Sequence, residues 1–111
     1  MNKNTLYWLA GILEGEGSFC PAPPSKKNAI SISVEMVDED VVEKIAEIFK
    51  IAHCAPQKRQ AHWKQSYRVI LRGARAAALM RQLRPLMGSR RQAQIDKALA
   101  SFAPERVRRV K

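Results

Sequence analysis

From Leu6 to Leu13 no residue carries a charge, and the residues that follow are Glu14-Gly15-Glu16-Gly17. An uncharged helix over this stretch is apolar all round and needs cover on more than one side. A chain of 111 residues has few elements with which to cover it twice. Gly11 and Gly15, spaced i and i+4 with Ala10 beside them, leave a groove where another backbone can come close, the geometry by which small-x-x-x-small helices pair. The stretch therefore predicts one face on the chain's own core and another on the same helix of a second copy, a homodimer about a two-fold axis. The helix is expected from about Thr5 to Glu14, with Asn4 or Thr5 as its cap.

Its end breaks a local rule. A helix C-terminus carries partial negative charge and favours Lys or Arg, yet Glu14 and Glu16 stand there. A bound Mg²⁺ or Ca²⁺ resolves the conflict, because free terminal carbonyls and a carboxylate are hard oxygen ligands. Gly15 or Gly17 is expected at positive φ as the helix stops. On spacing alone, a solvated, glycine-capped acidic end explains the residues equally well.

Charge supplies the next constraint: 20 Lys+Arg against 10 Asp+Glu give a formal net charge of +10. That excess suits a polyanionic partner, most simply nucleic acid, although a ribosomal or membrane-surface protein can share it. No apolar run is long enough for a transmembrane span. The two cysteines, Cys20 and Cys54, predict free thiols in a reducing, intracellular compartment. A zinc site from Cys20, His53, Cys54 and His62 fails on ligand spacing.

Along the chain, Ser18-Phe19-Cys20 begins a strand that Pro21, Pro23 and Pro24 interrupt, and Ser25 to Asn28 forms a hairpin loop. Ala29 to Met36 alternates, with Ile30, Ile32, Val34 and Met36 on one face and Ser31, Ser33 and Glu35 on the other. Asp38-Glu39-Asp40 opens a second, amphipathic helix through Val41, Val42, Ile45, Ile48 and Phe49, which Lys50 closes. A second hairpin is expected, with a strand near Pro56 to Gln60, a loop at Ala61 to Gln65 and a strand at Ser66 to Leu71. There Tyr67, Val69 and Leu71 oppose Arg68 and Arg72. Lys58, Arg59, Lys64, Arg68 and Arg72 make this hairpin basic enough to favour phosphate contacts over a merely solvated face. Ala74 to Leu83 forms a third helix that Pro85 ends. Ser89-x-x-Gln92 predicts a capping box opening a last helix through Phe102. Arg90 and Arg91 in its first turn oppose the macrodipole, a second broken rule. One domain over 1–104 is expected, with a basic tail over 105–111.

The run Leu9-Ala10-Gly11-Ile12-Leu13-Glu14-Gly15-Glu16-Gly17, flanked by Trp8, Ser18 and Phe19, resembles the signature of the LAGLIDADG homing endonuclease family. More weakly, the resemblance extends over most of the chain. It implies an α+β fold of αββαββα order, a saddle whose antiparallel sheet lies along the DNA major groove with helices on its other face. It also implies two signature helices packed at a dimer axis through Leu9, Ala10, Gly11, Leu13, Glu14 and Gly15. The implied activity is metal-dependent double-strand cleavage of a palindromic or nearly palindromic DNA site, with no small-molecule substrate and no membrane.

By the same resemblance, Glu16 and the carbonyl of Gly15 hold Mg²⁺, and Ca²⁺ binds without supporting cleavage. Arg90, with Arg91 as neighbour, supplies the basic residue near the start of the last helix. The family often has a polar residue where Met36 stands, a departure that points to weaker cleavage. Base reading is expected from Cys20, Ala22, Ser31, Ser33, Glu35, Lys58 or Arg59, Arg68 and Arg72, with the register of the second hairpin open by one residue. A non-cleaving DNA-binding regulator and an RNA-binding splicing cofactor on the same fold are the alternatives.

Overall fold

The computed structural model describes residues 1–55 and 64–103. Its first helix, α1, spans Lys3–Glu16, longer at both ends than expected. Asn2, and neither Asn4 nor Thr5, is the cap: its extended backbone lets Oδ1 accept from the Thr5 amide at 2.8 Å. Neither Gly15 nor Gly17 takes positive φ. Gly15 is helical, and Gly17 is extended at φ −83°. Glycine is needed at 17 for space, because a Cβ there would lie 2.8 Å from both Cδ2 and the carbonyl oxygen of Leu13. With no Cβ in the way, the helix passes directly into strand β1, Gly17–Cys20.

Strand β2, Ser31–Met36, pairs antiparallel with β1, Gly17 opposite Val34 and Cys20 opposite Ser31. Helix α2 covers Glu39–Phe49 and stops at Lys50, which sits in the left-handed region at φ 57°. Strand β3, Tyr67–Arg72, pairs antiparallel with β2, Ser31 opposite Arg72 and Met36 opposite Tyr67. For the β3 half of the second hairpin the facing is as expected: Val69 and Leu71 are buried with Tyr67 beside them, and Arg68 and Arg72 face away. Among the described residues the sheet has three strands in the order β1-β2-β3. The strand expected at Pro56 to Gln60 lies outside the described residues. Cys54 forms an isolated antiparallel bridge to β3, exchanging backbone hydrogen bonds with Arg68 at 2.8 and 2.7 Å.

Gly73, at φ 79°, turns β3 into helix α3, Ala74–Leu83. Pro85 falls in a 3-10 turn over Arg84–Leu86, and helix α4 runs Ser89–Ser101. The expected capping box does not form. Gly88 is the cap, and the Gln92 amide reaches back to the carbonyls of Arg84 and Met87 at 3.1 and 3.2 Å. Those carbonyls are exposed by the 3-10 turn that Pro85 imposes, which makes them available acceptors.

One face of the sheet carries Phe19, Ile32, Val34, Val69 and Leu71 into the core. Against it pack Leu9 and Leu13 of α1, Val42, Ile45 and Phe49 of α2, Met80 and Leu83 of α3, and Ile95 and Ala98 of α4. This is an α+β fold with an antiparallel sheet covered, among the described residues, by helices on one side. Among the described residues no helix is long and apolar enough to cross a membrane.

Candidate functional site

Both helix ends that broke the macrodipole rule meet, and each answers the other. Arg91, in the first turn of α4, is only 7% exposed. Its Nε donates to the Glu14 carbonyl at 2.9 Å, and its Nη1 donates to Gln94 Oε1 at 2.8 Å. A cation thus sits on the negative end of α1, supplied by another element. In return, the Glu14 carboxylate accepts from the Gly88 amide at the N-terminus of α4 and lies 3.7 Å from Arg91 Nε. Each end gains the charge that its dipole prefers. Arg91 is therefore placed as a clamp on α1 and Glu14 as the anion of α4, which explains both without a bound metal.

Glu16 is what the clamp leaves over. It ends α1, is exposed, and has no side-chain partner among the described residues. Gly15 precedes it in the last turn, whose carbonyls have no intrahelical acceptor role to fill. Arg90 is likewise exposed and without a partner among the described residues. A carboxylate and a neighbouring carbonyl are hard oxygen donors, the set that Mg²⁺ takes when phosphate and water complete its shell. Among the described residues no cluster of three or more His, Cys, Asp or Glu could enclose a metal within one chain. The donor set fits a half-site and not a closed cage.

The residues expected at a dimer interface divide. Leu9 and Leu13 are 0% exposed and Ala10 is 6% exposed in the single chain. They belong to its own core and are not available to a second copy, because the inward face of α1 must cover the sheet. Gly11 and Gly15 lie on the outward face, where an added Cβ would meet nothing within 4 Å. Tyr7, 55% exposed and one turn before Gly11, extends the same stripe. Glu14 is partly exposed beside it.

On the free face of the sheet, strand pairing lines up Cys20, Ser31 and Arg72 in one row and Ser18, Ser33 and Ile70 in the next. Glu35 and Arg68 form the third. Six of the expected base readers, Cys20, Ser31, Ser33, Glu35, Arg68 and Arg72, therefore share one surface. Ala22 does not. It is 8% exposed, with its amide held by Ser101 Oγ at 2.9 Å, because the prolines around it end the strand and turn the chain inward. Lys58 and Arg59 lie outside the described residues. Ser18 and Ile70 were missed, though simple alternation from Cys20 and from Arg68 predicts both. Glu35 accepts from Ser66 Oγ at 2.8 Å and pairs loosely with Arg68 Nε at 3.9 Å. Arg68 Nε is shielded from solvent and has no hydrogen bond. Met36 is half-buried against the core, not on this face.

Solved structures share this arrangement of helices and strands. I-CvuI, a homing endonuclease crystallised with a DNA target in the presence of Mg, superposes with a TM-score of 0.61 at 17% identity, over 88% of this chain and 65% of that one. The fold is that of the LAGLIDADG homing endonucleases. The archaeal intron-encoded homing endonuclease I-Vdi141I, complexed with DNA, matches with a TM-score of 0.59 at 14% identity, over 88% of this chain and 67% of that one. I-SmaMI, a LAGLIDADG homing endonuclease bound to cleaved DNA, gives 0.55 at 14% identity, over 86% of this chain and 35% of that one. The chain thus spans about two thirds or less of these homing endonucleases. No protein-family model and no curated protein matches the sequence.

Proposed function

We propose that the chain is a homodimeric, divalent-metal-dependent DNA endonuclease acting on a palindromic or nearly palindromic site. The observation that carries this reading is Glu16: an exposed carboxylate at the end of α1, with no partner among the described residues, in a chain of net charge +10. Binding nucleic acid would be served better by a cation at that position. Each solved homing endonuclease named above was crystallised with DNA, which supports DNA as the polyanion.

The sheet face lies in the major groove. Arg72 and Arg68 are placed to donate to guanine edges, Ile70 to touch a thymine methyl, and the serines to accept or donate locally. The loose Glu35 pairing leaves the Arg68 guanidinium free to reorient toward a base. Two outward stripes of Tyr7, Gly11 and Gly15 pack across the two-fold axis and bring two copies of Glu16 together. Glu16 and the Gly15 carbonyl would hold Mg²⁺, which when bound supplies an activated water and charge at the scissile phosphate. Glu14 and Arg91 fix the end of α1, and so the position of Glu16, against α4. Arg90 offers a fixed positive charge to the phosphate; it cannot shuttle a proton at neutral pH. Cys20 and Cys54, unpaired as thiols, suit a reducing intracellular compartment.

Selection of cut sites from a randomised palindromic DNA library with Mg²⁺ tests the reading. Wild type is expected to yield defined sites, and Glu16→Gln to lose cleavage while retaining binding. If neither cuts but both enrich one sequence, the chain is a binding module on the same fold.

A further inference from the structure

We propose that the cleft between β1 and α4 is a phosphate-binding subsite, with Lys97 as its principal cation. The cleft measures about 300 Å³ and is lined by Ser18, Phe19, Pro21, Arg91, Gln94 and Lys97. The inference rests on the DNA-binding reading above and extends it from Ser18, at the edge of the sheet face, to side chains of α4.

Its polar lining consists of donors. Arg91 commits Nε to the Glu14 carbonyl and Nη1 to Gln94 Oε1. Arginine has no acceptor, so Gln94 gives its oxygen to Arg91 and keeps its NH₂ as a donor. Lys97 is exposed and has no partner among the described residues, and Ser18 adds a hydroxyl that can donate. Among the described residues no carboxylate lines the cleft. An ammonium, an amide NH₂, a hydroxyl and the remaining guanidinium N–H groups match an anionic oxygen cluster. Phe19 and Pro21 add an apolar wall suited to deoxyribose.

The location agrees. β1 is an edge strand of the sheet, and Ser18 follows Gly17 directly after the end of α1. Arg91, which holds the Glu14 carbonyl, is also part of the cleft wall. A DNA strand that brings one phosphate to Glu16 passes a neighbouring phosphate along this edge.

The test compares Lys97→Gln and Lys97→Arg with Lys44→Gln. Lys44 lies over the Trp8 ring at 4.1 Å, on the helical side of the sheet. Duplex affinity is measured across a salt series. Lys97→Gln is expected to make the slope of log K against log salt shallower by about 0.9 for each chain bound. Lys97→Arg should restore the slope, and Lys44→Gln should leave it unchanged. An unchanged slope in Lys97→Gln overturns the proposal. If wild type binds no DNA, dimethyl phosphate is titrated against the Ser18 and Gln94 amide signals. Shifts present in wild type and lost in Lys97→Gln then keep the subsite while the endonuclease reading fails. No shift in wild type overturns both.

Discussion

At the residue scale, the decisive positions are those where one atom more or less changes the packing. Gly17→Ala puts a methyl 2.8 Å from the Leu13 backbone, so chemical denaturation should show a loss of about 1–3 kcal/mol, as overpacking usually gives. A midpoint equal to wild type would mean that the helix-to-strand junction yields more easily than the packing implies. Asp96 accepts from Arg84 Nε and Nη2 at 2.6 and 2.9 Å. The hydrogen bond from Arg84 is the main cause that holds the Asp96 carboxyl below the ordinary carboxylate range; desolvation opposes it, and the Arg84 charge adds a lesser lowering. A depressed folded pKa stabilises above the unfolded value of about 3.9, and that contribution is lost as pH falls through the folded value. Arg84→Ala should therefore be less stable than wild type at neutral pH, and by a smaller margin near pH 2, as Asp96 takes up its proton. A gap of equal size in urea melts at both pH values would remove Asp96 from the account.

At the element scale, the structure turns on two helix termini that exchange charge. Glu14 and Arg91 contact each other and each other's helix end, so their substitutions should not add. Glu14→Ala and Arg91→Ala singly should each cost about 1–3 kcal/mol by leaving helix-end groups unsatisfied. The double variant should fall short of the sum by at least about 0.5 kcal/mol. Strict additivity in a double-mutant cycle would show that the two ends are held independently. The outward stripe of α1 makes the opposite prediction. Gly15→Ala meets open space in one chain, so helix propensity should raise monomer stability by about 0.5–1 kcal/mol, while sedimentation should show weakened self-association. A dimer of unchanged affinity would place the interface elsewhere.

For the whole molecule, the proposed function sets a surplus of positive charge against an acidic centre. In the proposed homodimer, two copies of Glu16 brought together at an axis would repel without counter-charge. Mg²⁺ should therefore raise the melting midpoint of wild type in a concentration-dependent way, and Glu16→Gln should abolish the rise. A midpoint unmoved by saturating metal would argue against a shared acidic centre.

Much of this was legible in the residues, and the reason is local. The alternation of Ile30 to Met36, the bounds of α3 and the inward and outward sets of β3 follow from periodicity, which needs no knowledge of distant partners. Glu14 and Arg91 were visible as broken rules, but their meaning was not. Residues far apart in sequence were needed to show that α4 brings the missing cation to α1, and that clamp leaves Glu16, not the whole acidic run, as the free group. The same holds for the helix faces. Composition made α1 apolar all round, and only the packing of the sheet decided that Leu9, Ala10 and Leu13 turn inward while Gly11 and Gly15 stay outside. The cleft at Lys97 exists only because α4 lies along the edge of β1. Sequence determined which elements form and which residues share a face, since those depend on neighbours along the chain. Tertiary structure decided which charges are spent on one another and which remain for a partner, since that depends on neighbours in space.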